Sequence, residues 1–302
     1  MSDLGRAPSL AVVAGAYLLA GAAAWLTVAA LEAPPLLEAL VADVVATVVI
    51  WALSERLHNA SLYDPYWSVA PPVIAVAWAV GGDGDATRAA VVCGLVAAWG
   101  VRLTLNWATG WRGLGHEDWR YRKLRADTRG RLPFWVVNLG GIQLMPTLLV
   151  FAGLLAVYPA VTSDAHAFGA LDVVALIVTA AAIITEATAD LQLRAVTRDP
   201  AHRGAIADRG LWARSRHPNY LGQIGFWWGL WLFALAADPA WWWTVVGPLA
   251  MVALFVTVSV PMMDVRSLER RPGYAEHMAA VPALIPRLTR RRSRGRRTSG
   301  GR

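Results

Sequence analysis

Residues 209–223 read RGLWARSRHPNYLGQ, a dense polar segment set between two strongly apolar ones. Arg209, Arg214, Arg216 and His217 come first, and Pro218 follows. Proline fixes its own φ and turns the preceding residue away from helix, so it suits the first turn of a new one. A helix is therefore expected to start at Pro218 and to carry Leu221 to Ala237 into a bilayer. Its first turn holds Asn219, Tyr220 and Gln223 beside unpaired backbone N–H groups and the positive end of the helix dipole. Arginines upstream of such an end make an anion site suited to phosphates. The alternative is a basic loop that only sets membrane orientation.

The flanks decide the fold class. Of 302 residues, 56% are hydrophobic and 16% charged, and the mean hydropathy is +0.42, outside the range of soluble domains. Apolar runs at 10–31, 36–57, 89–108, 134–158, 171–191, 221–237 and 242–263, with a shorter run at 67–80 containing Pro71 and Pro72, give about seven to eight spans. The run at 67–80 reads as interrupted by its two prolines. Loops after spans four and six and the C-terminal tail hold 7, 6 and 11 basic residues, whereas the alternate loops carry Glu32, Asp83, Asp85, Asp164 and Asp238 with Arg88 alone. That alternation places both termini and the stretch 209–223 in the cytoplasm. The expectation is an all-α integral membrane protein, one helical domain over 1–289, followed by a disordered basic tail over 290–302 that meets anionic lipid head groups. The net charge of +7 then belongs to membrane orientation and not to nucleic acid. The Trp241-Trp242-Trp243 run suits an outer aromatic belt. Cys93 is the one cysteine, and the six histidines lack ligand spacing, so neither a disulfide nor a metal site is expected.

Ionisable groups within spans mark function or pairing. Glu186 and Asp190 share one helix face, with Arg194 a turn further on; Arg102 and Asn106 repeat the spacing on span four. Two readings stand: an Arg102–carboxylate lock between helices, or carboxylates that bond a ribose or carboxamide while arginines hold phosphates. Asp64 and Tyr66, entering the third span, are candidates to polarise a substrate carbonyl, against a plain turn capped by Asp64. The loop 111–131 reads as an interfacial amphipathic segment, or as a cover over a cofactor with Arg120 or Arg125 near phosphate.

The heptad Arg216 to Gly222, RHPNYLG, resembles the signature of the steroid 5-alpha-reductase-like membrane proteins, and more closely their bacterial branch of uncharacterised function. A shorter form of it is similar to that of the isoprenylcysteine carboxyl methyltransferases. Further matches are Asp64 to Ser68, Asn106 to Arg125, Glu186 to Asp190, and Glu269 to Arg287, so that the resemblance covers about 60–287. It implies a bacterial inner-membrane oxidoreductase using NADPH on the conjugated C=C bond of an enone lipid, steroid-like or isoprenoid. It maps cofactor contacts onto Glu186, Asp190 and Asn219, and gives Arg271, Tyr274 and His277 the role of completing the pocket. The alternatives are a methyltransferase using S-adenosylmethionine and a non-catalytic lipid-binding protein. Two positions depart from the pattern: Gln223 stands where relatives carry Glu, and Trp99 where a tyrosine grips the steroid ketone. No Rossmann or P-loop glycine pattern occurs.

Overall fold

The computed structural model describes residues 5–198 and 204–286, and the expected tail over 290–302, with Arg287, lies outside them. Hydropathy and length produce the long helices α1 (Arg6–Ala30), α2 (Pro35–Arg56), α3 (Tyr66–Gly81) and α4 (Ala86–Gly110). A short α5 (Trp119–Asp127) precedes α6 (Phe134–Leu154) and α7 (Val157–Thr162). Then come α8 (Ala170–Arg198), α9 (Pro218–Ala237), α10 (Pro239–Arg270) and α11 (Tyr274–Ala280). Seven of these are long and apolar enough to cross a membrane, α3 being the short extra one. The protein is an all-α integral membrane bundle. Large apolar side chains such as Leu18, Trp25, Val80, Ile177 and Ile184 stay exposed on its outside, where lipid tails and not water would meet them.

Pro218 is the first residue of α9, with His217 as its N-cap, as the sequence predicts. Pro71 and Pro72 do not interrupt α3, which runs through both. A proline at 72 leaves the Ser68 carbonyl without its helical donor, and the neighbouring helix approaches there. A Cβ on Gly100 of α4 would stand 2.4 Å from that carbonyl oxygen and 2.8 Å from the Pro72 ring, so only glycine admits the contact. α6 also departs from a plain helix. Its Asn138–Leu144 segment is π-helical, and the five-residue stagger lets Gln143 Nε2 donate to Asn138 Oδ1 at 3.0 Å. Both amides then donate to Ser54 Oγ of α2, at 3.0 and 2.9 Å. A second π turn, Phe255–Ser259, lies within α10.

Two packing relations position the candidate site. α4 and α8 run parallel, because Arg88 meets Asp172 and Arg102 meets Glu186 at the same offset of 84 in sequence. α9 lies against α8 along Gly222, Gly225 and Gly229, where added Cβ atoms would strike Glu186, Ala182 and Thr179. Small residues let helix backbones approach closely in a membrane. The core between these helices holds Trp99, fully buried, stacked on Phe226 at 4.6 Å and edge-on to Trp227 at 5.4 Å.

Candidate functional site

The glycine of the signature builds the site. Gly222 brings α9 onto Glu186, so the first turn of α9 faces the carboxylates of α8. Arg102 joins them from α4, its two terminal nitrogens 2.6 Å from Glu186 Oε2 and 2.9 Å from Asp190 Oδ2. Asn106 also donates to Asp190, at 3.2 Å. Arg194 turns to Asn106 and to Thr109 Oγ1. The helix-locking reading of Arg102 thus has its geometry. Trp99 and Gln223, the two departures from the family pattern, meet each other: the indole N–H donates to Gln223 Oε1 at 2.9 Å. A fully buried indole N–H needs an acceptor, and the amide oxygen supplies it.

Sequence reasoning passed over Asp264, the hub of the second cluster. Its carboxylate takes Arg216 Nη2 at 2.8 Å, His217 Nε2 at 3.0 Å and the Tyr274 hydroxyl at 2.8 Å. Arg216 donates further to the carbonyls of Val281 and Met278. The backbone N–H groups of Arg216 and His217 donate to Pro282 and Ala283. Three residues assigned to a cofactor are therefore brought together, as a clamp that fastens the C-terminal segment to the signature. Burial pushes the His217 imidazole below its ordinary pKa, with Asp264 pulling the other way. The only sequence signal for Asp264 is a single carboxylate where the last apolar run ends.

The remaining positions around the signature are less committed. Tyr220 stacks on His217 at 5.3 Å and packs against Phe255. Arg209 is exposed, and Arg271 makes one long contact, 3.4 Å to Ser267 Oγ. Asn219 is the informative one: its Oδ1 is buried and accepts no hydrogen bond from the described residues. An orphaned buried acceptor costs about 1–3 kcal/mol unless something donates to it, and this one stands beside the free N–H groups of a helix start.

A third cluster lies where the chain enters α3. Asn59, Ala60 and Ser61 are stitched to Leu114, His116, Glu117 and Asp118, joining two stretches far apart in sequence. Asp64 accepts from the Tyr121 hydroxyl and stands 3.8 Å from Arg120. Burial raises its carboxyl pKa to about 6, against the opposing pull of Arg120. Tyr66 does not share this cluster. Its hydroxyl donates at 2.7 Å to Asp43 Oδ1 of α2, which has no cation partner among the described residues. Tyr63 and Thr47 both meet Thr147 Oγ1, at 2.8 and 2.9 Å. Asp43, Tyr63, Tyr66 and Thr147 line one closed seam with Trp67 and Pro71, too narrow for a water in this state. No group of three or more potential metal ligands occurs among the described residues.

A membrane bundle with a cluster of polar and charged side chains at the arginine-rich ends of α4, α8 and α9 is the class that fold and site define. Residues 50–281 match the family described as Protein of unknown function (DUF1295), and the chain belongs to that family. It is similar to an uncharacterized protein of Schizosaccharomyces pombe, 27% identical over 268 residues, covering 80% of this chain and 76% of that protein. No solved structure matches.

Proposed function

We propose that the protein is a steroid 5-alpha-reductase-like membrane oxidoreductase that binds NADPH at the first turn of α9 and reduces a conjugated C=C bond of an enone lipid. The observation that carries the cofactor half is Asn219 Oδ1, a buried acceptor with no donor among the described residues, at a helix N-terminus that favours anions. A ribose hydroxyl or carboxamide N–H supplies the missing donor. Arg209 and Arg271, which have no carboxylate partner among the described residues, would take phosphate. Glu186 meets Arg102 through one oxygen, so its carboxylate retains acceptor capacity. NADPH, when bound, supplies the hydride for the β-carbon of the enone.

The chain's own part in the chemistry falls to the seam beside α3. The Tyr66 hydroxyl and the Asp43 carboxyl form a buried hydrogen-bonded pair, and a carboxyl at membrane depth without a cation marks function. These two groups hold the carbonyl oxygen and stabilise the negative charge that develops on it, and a proton then adds at the α-carbon as the enolate collapses to the saturated ketone. The seam must widen to admit a lipid, and α3, the shortest of the long helices, is the element placed to move. Asp64, bonded instead to Tyr121 and near Arg120, orders the loop that covers the basic end.

One observation favours a second reading. Arg102, Arg194 and Arg216 are all engaged within the protein, leaving fewer guanidiniums for a phosphate-rich ligand. S-adenosylmethionine, a cation with an adenosine to donate to Asn219, suits that inventory. The test is thermal stability of the purified protein in detergent with NADPH, NADH, S-adenosylmethionine and S-adenosylhomocysteine, since a ligand that binds only the folded state raises its stability. NADPH is expected to raise the melting temperature, and Asn219→Ala to weaken that response about tenfold while the ligand-free protein melts as before. A response to S-adenosylmethionine alone replaces the reductase with a methyltransferase. No response to any of them in folded protein removes both readings and leaves a non-catalytic lipid-binding protein.

A further inference from the structure

The linker between α5 and α6 carries a second site, independent of the reading above. A surface pocket of about 490 Å³ opens there between Arg122, Arg125, Arg129, Leu132 and Phe134. Arg122 and Arg125 lie one turn apart on α5, and Arg129 follows in the turn before α6. Arg125 is held in place, its guanidinium 3.5 Å above the centre of the Phe134 ring and 3.1 Å from Glu117. Arg122 and Arg129 have no carboxylate partner among the described residues, while their neighbour Lys123 pairs with Asp127. The pocket therefore carries uncompensated positive charge. Leu132, which lines it, is 55% exposed, and Trp135, next to the lining residue Phe134 on the first turn of the membrane helix α6, is 50% exposed.

Depth and chemistry agree on the occupant. Phe134 starts an apolar helix of membrane-spanning length, so the pocket floor lies where head groups lie, and exposed tryptophan is at home at that level. A free phosphate satisfies the arginines and leaves Leu132 and Trp135 in water. An anionic phospholipid satisfies both, its phosphate among the guanidiniums and its acyl chains descending past Leu132 and Trp135. We propose that this pocket binds the head group of an anionic phospholipid and thereby pins the α5–α6 linker to the membrane surface.

The test uses the full chain in detergent with dioctanoyl phosphatidylglycerol, dioctanoyl phosphatidylcholine and inorganic phosphate, counting bound lipid by native mass spectrometry and following melting. Phosphatidylglycerol is expected to bind in preference to phosphatidylcholine. The double variant R122Q/R129Q should lose about 30-fold in that affinity, from about 1 kcal/mol for each arginine near the surface. R112Q/R270Q, which removes the same charge from exposed positions outside the pocket, should change it less than about twofold. Equal binding of the two lipids, an equal loss in R112Q/R270Q, or displacement of phosphatidylglycerol by phosphate at matched concentration each overturns the proposal. Should R122Q/R129Q melt early without lipid, Leu132→Asn provides the second arm. It should weaken phosphatidylglycerol binding and leave phosphate unaffected, and retention of full lipid affinity there is equally fatal.

Discussion

The parallel helices α4 and α8 are joined at both ends by arginine and carboxylate, and the two junctions are built differently. At one end Arg88 meets Asp172 through two hydrogen bonds, 2.7 and 3.0 Å, with both side chains at most 1% exposed. The second Asp172 oxygen also accepts the Gly169 N–H, so three of the carboxylate's roughly four acceptor positions are filled, although Arg88 Nη1 has no hydrogen-bond partner among the described residues. At the other end one guanidinium, Arg102, serves two carboxylates, and the three side chains retain 7–17% exposure. The first junction is closed and can only hold. The second keeps spare acceptor capacity beside an amide oxygen without a donor among the described residues, under the helix start that follows Arg209, Arg214 and Arg216. Equal residue types thus differ in stoichiometry and in exposure.

The comparison is most easily broken at the closed end. Arg88→Met leaves Asp172 buried without its partner, and breaking a buried pair in that way costs about 3–5 kcal/mol. A steep fall in melting temperature in detergent is expected, and Arg88→Met with Asp172→Leu should recover most of it. A mild effect of the single change would show that this junction is no lock. Asp264→Ala comes next. It frees Arg216, His217 and Tyr274 together, but Arg216 keeps its bonds to the Val281 and Met278 carbonyls. The expected cost is about 2–4 kcal/mol, with faster proteolysis after Arg270 as the local signature.

The two ends also differ in how far the sequence discloses them. The long helices follow from apolar run length, and the start of α9 from Pro218. The facing of α4 and α8 follows from carboxylates four apart on one and a polar pair four apart on the other. Asp264 stays hidden because its partners lie some 48 residues upstream and 10 downstream, and only tertiary folding selects them. Asp64 and Tyr66 look like one site because they are two residues apart, yet the chain turns into α3 between them and sends them to different partners. Proline spacing misleads at 71 and 72, since Gly100 of another helix accommodates the carbonyl that Pro72 leaves free. The π turn at Asn138–Leu144 has no compositional mark, although the fully buried Asn138 and Gln143 depend on it.

Acidity adds a smaller handle at the basic end. Asp64 has a folded pKa of about 6 against an ordinary value of 3.8, so the folded state holds its proton more tightly. Its contribution to stability is complete below pH about 4 and is lost as pH rises through about 6. Melting curves should show up to about 3 kcal/mol of this dependence, and Asp64→Asn should flatten it. An unchanged profile in the variant assigns the slope to another group.

The smallest stability effect is the one that sharpens the comparison furthest. Glu186→Gln keeps side-chain size and hydrogen-bonding geometry, and Arg102 retains Asp190 at 2.9 Å. The variant is therefore expected to lose about 1 kcal/mol or less, far below the loss at Arg88. If the spare acceptor at Glu186 serves a ligand, the NADPH response should fall by about tenfold in the same protein, since an amide offers one acceptor oxygen where the carboxylate offers two. A loss of stability equal to that of Arg88→Met would mean that both junctions are locks and that α4 and α8 are merely bolted twice. A silent Glu186→Gln in a protein that still binds NADPH would move the site to Asn219 alone. Only the split outcome, stable protein with weakened binding, separates the junction that holds the bundle together from the one that receives a ligand.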